Sequence, residues 1–267
     1  MKRRFLAFLL LIVLSLAISS PALAQGNYYF AVEREVVQVY WNADGTMSLD
    51  YTWVFANQPG AHIIDFVDVG MPNDYFDMST VSADVDGTPV SVSQSDYQGD
   101  GSGFAVVLGS RAIRAGQTGT VHAYVGRVER VLYPDTDNEA YASAVFAPAY
   151  FGSQFVKGNT DLTVTFHLPN GVLPEEPRWH SAPSGFPSEP VAGYDNQDRV
   201  TYTWNSTAAD ASSYYEFGAS FPRAYVPAEA IYTPPAEPLF DISSDTIFTL
   251  LCLGFFGCIF FGIPVLT

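Results

Sequence analysis

The sequence predicts an all-β fold: a tandem of Ig-like β-sandwiches, exported behind a secretory signal peptide and anchored by one C-terminal transmembrane helix. Three observations lead there. Apolar residues recur at every second position in several stretches, and turn dipeptides punctuate them. No stretch of the middle keeps a helical period over three turns. The two ends are apolar, while the chain as a whole carries 28 Asp+Glu against 12 Lys+Arg.

The N-terminus, "MKRRFLAFLLLIVLSLAISSPALAQ", opens on Lys2, Arg3 and Arg4. An apolar run follows from Phe5 to Ile18, and Ala22-x-Ala24 supplies the small residues read by a signal peptidase. Cleavage after Ala24 is expected, with an uncleaved anchor as the alternative. Gln25 follows the site rather than Cys, so the pattern is not that of a lipoprotein.

Next, "VVQVYW" and "TMSLDYTWVF" read as two strands of a hairpin turning at Asp44-Gly45. Met47, Leu49, Tyr51, Trp53 and Phe55 fall on one face; Thr46, Ser48, Asp50 and Thr52 fall on the other. Asp86-Gly87 turns between two short strands in "VSADVDGTPVSV". "QGDGSG" is a loop leading into "FAVVL", and "TGTVHAYVGRVERVLY" is a long strand. Later strands place Leu162, Val164, Phe166 and Leu168 inward. Val200, Tyr202 and Trp204 do the same, then Tyr215, Phe217, Ala219 and Phe221. His167, in phase with Thr163 and Thr165, is expected on an exposed face.

A polar, turn-prone "YPDTDNEA" suggests a boundary near residue 133. The expected organisation is a leader at 1–24, a first sandwich at 25–133, a second at 134–221, a Pro-rich stalk at 222–245 and a membrane helix at 246–267. One large sandwich is the alternative. From Ile247 to Leu266 no residue is charged, and a helix of that length, rising about 1.5 Å per residue, matches a bilayer's hydrocarbon core of about 30 Å. The expected topology is single-pass in the cell membrane, with the body outside and the C-terminus cytoplasmic. No Lys or Arg follows the span. Either the chain continues beyond Thr267 or hydrophobicity alone holds the helix. Gly254, Cys258 and Gly262 recur every four residues and would form a small-residue stripe for helix–helix packing against a membrane partner, or recur by chance.

"VQVYWNADGTMSLDYTWVF", "FVDVGMP", "ADVDGTPV" and "VTFHLP", spread over roughly residues 30–180, resemble the exported region of a family of predicted bacterial membrane proteins known only as a domain of unknown function. The resemblance implies a signal peptide, a β-rich ectodomain opening on a strand–DG–strand hairpin, and membrane attachment. It implies no catalytic residue. Val69-Gly70 stands where the family has a basic residue.

The excess of acid excludes nucleic acid as a partner. Cys252 and Cys258 both lie in the C-terminal apolar run, so the body has neither a disulfide framework nor a thiolate metal site. No G-x-S-x-G, S-x-x-K or H-E-x-x-H motif occurs; Ser102 in "GDGSGF" reads as part of a loop. His62 lies near Asp65 and Asp68, but an odd spacing from Asp65 would turn the two apart on a strand. Asp135, Asp137 and Glu139 alternate in "DTDNEA", a spacing used by loop Ca²⁺ sites; a solvated acidic turn is the simpler reading, and no other cofactor is expected. Among the tryptophans, Trp179 alone falls in a loop and is the candidate ligand-stacking residue. The expected function is a binding, sensing or scaffold module at a bacterial surface, with a protein or glycan ligand and membrane lipid as partners. An exported hydrolase built on a carboxylate or His–carboxylate site, and an accessory subunit of a membrane complex, are the alternatives.

Overall fold

The computed structural model describes residues 27–234. Both expected membrane-facing ends, the small-residue stripe of Gly254, Cys258 and Gly262, and the distal stalk lie outside the described residues. Among the described residues no helix is long and apolar enough to cross a membrane.

The fold is all-β. Fourteen strands follow one another: β1 (Phe30–Trp41), β2 (Met47–Asn57), β3 (Phe66–Gly70), β4 (Val81–Val85), β5 (Thr88–Ser93), β6 (Gly103–Val107), β7 (Thr118–Val128), β8 (Leu132–Pro134), β9 (Tyr141–Phe146), β10 (Asn159–His167), β11 (Arg178–Trp179), β12 (Val191–Tyr194), β13 (Val200–Asp210) and β14 (Phe217–Pro222). Only short 3-10 turns interrupt them.

Ten strands form one large sheet in the order β12-β13-β10-β1-β2-β7-β4-β5-β6-β3, and a smaller antiparallel sheet runs β11-β14-β9-β8. The two sheets face each other across an aromatic core, where Trp204 meets Phe217 at 5.3 Å and Tyr51 meets Phe146 at 6.3 Å between ring centroids. This is the layered packing that hides the apolar face of each sheet.

Alternation decides which residues enter that core. Met47, Leu49, Tyr51, Trp53 and Phe55 are all buried, as are Leu162, Val164, Phe166, Val200, Tyr202 and Trp204. The expected hairpins form where the turn dipeptides stand. Asp86 and Gly87 both take positive φ, 50° and 76°, the conformation a two-residue hairpin turn needs. Gly45 has φ 81° and lies against Ala230, so a side chain there would meet both backbone strain and a neighbour.

The strands are not sorted by the boundary expected at 133/134. β10 lies parallel to β1, in register from Arg34↔Asp161 to Tyr40↔His167, and β13 flanks β10. The second half of the chain therefore extends the sheet begun by the first. The expected stalk also starts on the body: Val226 is buried, Ile231 bridges Leu132, and the Tyr232 N–H donates to the Leu132 carbonyl at 2.8 Å.

One inward position is acidic. A β-bulge between Val32 and Arg34 leaves Glu33 and Arg34 both exposed and turns Glu35 into the core opposite Trp53. Glu35 is buried, and no well-aligned hydrogen bond reaches its Oε1, the Trp53 indole nitrogen or the Tyr51 hydroxyl. Burial pushes its pKa up to about 8, against a weaker opposing influence of the Trp53 indole. The folded state thus binds a proton that the unfolded chain releases near pH 4.5.

Stability contributed by this group is greatest below pH 4.5 and declines as pH rises to about 8. Substituting Glu35→Met should therefore stabilise the protein increasingly across that window, by roughly 5 kcal/mol in total. Urea unfolding of both proteins at several pH values measures the difference; a pH-independent difference would show that Glu35 is ionised in the fold.

Candidate functional site: an aromatic cleft

A cleft of about 910 Å³ opens on the core side of the large sheet. Several separate segments wall it. Phe30 and Phe55 come from the paired ends of β1 and β2, and Asp68 comes from β3. Tyr97, Gln98 and Asp100 come from the loop before β6, and Pro148, Tyr150, Phe151 and Phe155 from the β9–β10 connection. Tyr214 and Glu216, just before β14, complete the rim.

Backbone pairing fixes the floor. The Phe30 N–H donates to the Phe155 carbonyl at 2.9 Å, and the Lys157 N–H donates to the Phe30 carbonyl at 2.8 Å. That ladder delivers Phe151 to Phe30 and Phe55, with centroids 5.7 and 5.5 Å away in near-perpendicular arrangements of 86° and 82°. Tyr28 stands edge-on to Phe66 and Phe155 at 5.9 and 6.2 Å. Edge-to-face contacts of this kind hold rings apart from full stacking. At the rim Tyr150 and Tyr214, 57% and 59% exposed, meet at 6.0 Å.

The loop over the cleft depends on glycine. A Cβ on Gly103 would come within 2.5 Å of both the Tyr97 ring and the Val69 carbonyl. The Tyr97 ring occupies the space that the missing side chain leaves, and its hydroxyl donates to the Asp100 carbonyl at 3.0 Å.

Asp68 is the polar feature of the wall. Its Oδ2 accepts the Gln98 N–H at 3.2 Å, while its Oδ1 is buried with no hydrogen-bond partner. Burial raises its pKa, and the Gln98 N–H opposes that rise. Asp65, in the same segment, accepts the Tyr28 hydroxyl at 2.5 Å. The sequence singled out Asp68 only as an acid near His62; the loop that shields it comes from some thirty residues later.

The expected site residues lie elsewhere. The Asp135 Oδ1 accepts the Asp137 and Asn138 N–H groups at 3.0 and 2.8 Å, and its Oδ2 accepts the Ser220 hydroxyl. Glu139 contributes its main-chain carbonyl, 3.4 Å from an Arg223 guanidinium nitrogen. The alternating acids thus build a turn in which Asp135 serves the backbone. Among the described residues no group of three His, Cys, Asp or Glu side chains is placed to hold a metal ion. Trp179 sits on the short edge strand β11, partly exposed, with its ring edge-on to Tyr202 at 5.7 Å and away from the cleft lining. The His62 Nδ1 lies 2.7 Å from the Ile63 carbonyl, and the His62 ring lies 4.7 Å from that of Tyr28.

Two histidine–carboxylate groups occupy the other face of the large sheet. The His122 Nδ1 and Nε2 each lie 2.9 Å from a carboxylate, those of Asp84 and Asp50 on the flanking strands β4 and β2.

His167 does not have the exposure expected of it. It is 7% exposed, stacked at 4.2 Å on Tyr40, with Asp195 at 2.8 Å from Nδ1 and the Gln38 amide at 2.8 Å from Nε2. The face was read correctly, but polar neighbours cover it. Burial lowers the His167 pKa, so the neutral ring donates from Nδ1 to Asp195. Asp195 also accepts from the Gln197 and Arg199 N–H groups at 2.8 and 3.0 Å and from Arg199 Nε at 2.7 Å. Burial pushes its pKa up, yet these hydrogen bonds together hold it well below the usual carboxylate range.

No family model and no curated protein matches the sequence. Among solved structures the fold is similar to an M1 zinc metallopeptidase from Deinococcus radiodurans. Identity is 15% and the TM-score 0.44, over 74% of this chain and 43% of that one. It is similar also to aminopeptidase A from Legionella pneumophila, at 7% identity and a TM-score of 0.41, over 74% of this chain and 22% of that one. This chain therefore spans less than half the length of either, and a likeness at this level carries no statement about ligand or activity.

Replacing Asp195 with Ala removes the acceptor for four donors and should cost about 3 kcal/mol at neutral pH. A group whose pKa is depressed by folding stabilises fully above its unfolded value of 3.8 and loses that contribution as pH falls towards its folded value. The gap between wild type and Asp195→Ala in urea unfolding should accordingly narrow as pH is lowered below 3.8. A gap that stays constant, or widens, would contradict this assignment.

Proposed function

We propose that this chain is an exported, membrane-tethered β-sandwich module of a bacterial cell surface that binds a small ligand with an apolar body in the aromatic cleft. The observation that carries the reading is the cleft itself. About 910 Å³ of concave, ring-lined space falls within the few hundred to about 1,000 Å³ usual for small-molecule sites. The edge-to-face rings leave a compact hollow rather than a flat platform, which favours a compact apolar group over a stacked sugar ring.

The composition of the wall supports binding over hydrolysis. Ser102 lines the cleft, but its hydroxyl donates to Asp74, and no histidine is among the lining residues. The histidine–acid groups sit on strand positions that alternate with the core-facing ones, on the opposite side of the sheet. No histidine base for activating Ser102 is thus at hand.

Tethering and export rest on sequence. The charged, apolar, small-residue leader and the uncharged stretch from Ile247 to Leu266 support them, and an acidic surface suits a body held in water outside the membrane.

Benzyl alcohol, a neutral ring of suitable size, tests the cleft. Isothermal titration calorimetry on the full chain in lipid nanodiscs, with empty discs subtracted, should detect one site. Ala149→Trp, which places a large ring in the hollow, should weaken that binding at least roughly tenfold with the thermal unfolding midpoint maintained. Equal binding by wild type and variant, or no binding by wild type, would remove this reading.

A further inference from the structure

The charge distribution of the cleft narrows its ligand class, an inference that rests on the binding role proposed above. Of the residues that line it, none is Lys, Arg or His, while Asp68, Asp100 and Glu216 are acidic. The imbalance is local as well as global. Arginines elsewhere on the body meet aromatic rings or acids: Arg130 over Tyr75 at 3.7 Å, Arg199 over Tyr40 at 4.8 Å and Arg127 against Asp44 at 2.9 Å. Here many rings and several acids come together with no cation of the chain's own.

Asp68 makes the imbalance specific. Its Oδ1 has neither solvent contact nor a hydrogen-bond partner, and the single bond to Oδ2 comes from a neutral backbone N–H. A carboxylate in that state keeps its charge uncompensated, and the apolar rings around it screen little. Ring faces are themselves electronegative and attract cations. Both contributions favour the same kind of guest and disfavour an anion.

We propose that the cleft binds an organic cation, an ammonium group carried on an apolar body, with the charge held among the aromatic rings in the field of Asp68. The body of the guest fills the cleft beside Tyr97, Phe151 and Phe155, and Tyr150 and Tyr214 border its entry. The attraction acts through the field and the ring faces, so a quaternary ammonium with no N–H serves as well as a protonated amine.

Three probes that share one ring test it: benzyltrimethylammonium, benzyl alcohol and phenylacetate, titrated calorimetrically into the full chain in nanodiscs of uncharged phosphatidylcholine. The cation should bind roughly tenfold or more tightly than the alcohol, and phenylacetate more weakly than either. Asp68→Asn, which preserves shape and an acceptor for the Gln98 N–H, should remove most of the cation's advantage over the alcohol. Acidification offers a second route that alters no residue: protonating Asp68 should release the cation while the alcohol stays bound. Equal affinities for cation and alcohol, or a cation preference that survives both Asp68→Asn and acidification, would overturn the proposal while leaving a ligand cleft in place. If no probe binds, both the proposal and the binding role fail.

Discussion

Pairing of β1 with β10 is the constraint on which the rest of the structure depends. β1 has an antiparallel partner on one side and a parallel partner on the other, so it has no free edge. The parallel partner comes from more than a hundred residues later in the chain, and its approach is what makes one sheet from two halves. The same ladder continues past the start of β10 into Phe155 and Lys157 on Phe30. It therefore sets the aromatic β9–β10 connection against the ends of β1 and β2. Without that pairing, Phe151 and Phe155 would have no reason to meet Phe30, and the cleft would have no floor.

Such a pairing is also what a sequence hides best. Period-two alternation and turn dipeptides are local signals, and they read true: the Asp44-Gly45 and Asp86-Gly87 hairpins form, and the inward residues of β2, β10 and β13 are those that alternation assigns. Partner choice between distant strands leaves no comparable mark. A tandem arrangement and a single shared sheet present the same local pattern, so the division expected at residue 133 had no physical signal against it. Glu35 was legible by extension, since Val37, Val39 and Trp41 project their phase back onto it. What local reading could not supply is the bulge that takes up the extra residue and lets an acid enter the core. His167 shows the converse. Its face follows from Thr163 and Thr165, but its burial comes from Gln38, Tyr40 and Asp195, which other strands and a loop supply.

The candidate site was less legible than the fold for the same reason. Its rings come from several separated segments, and none of these is a motif. The sequence feature nearest to a signal is "QGDGSG", readable as a loop. Its consequence is conformational: glycine at 103 lets the Tyr97 ring settle against the backbone and brings Gln98 to Asp68. By contrast, the acids with a recognisable spacing, Asp135, Asp137 and Glu139, form an ordinary turn with Asp135 directed to backbone N–H groups and Ser220. Alternate spacing of carboxylates states only that they are near in sequence. Convergence on a point requires that their oxygens be otherwise unengaged, and those of Asp135 are not.

Glu35 and Asp68 separate two ways in which this acidic chain tolerates carboxylates among apolar groups. Glu35 is enclosed on every side, and the remedy available to it is a proton, which its raised pKa of about 8 provides at neutral pH. The proton makes it a poor partner for any charge, and it sits where no ligand reaches. Asp68 is only partly enclosed and retains a backbone N–H on Oδ2, a bond that favours the ionised form. Its charge is the one that can act across the cleft. The distinction follows from one geometric difference: an inward strand position under a bulge buries a whole side chain, whereas a strand position under a glycine-hinged loop shields one oxygen and leaves the other bonded. A charge held in that second way is compensated most readily by something that arrives from outside, and the aromatic hollow beside it has room for such a guest.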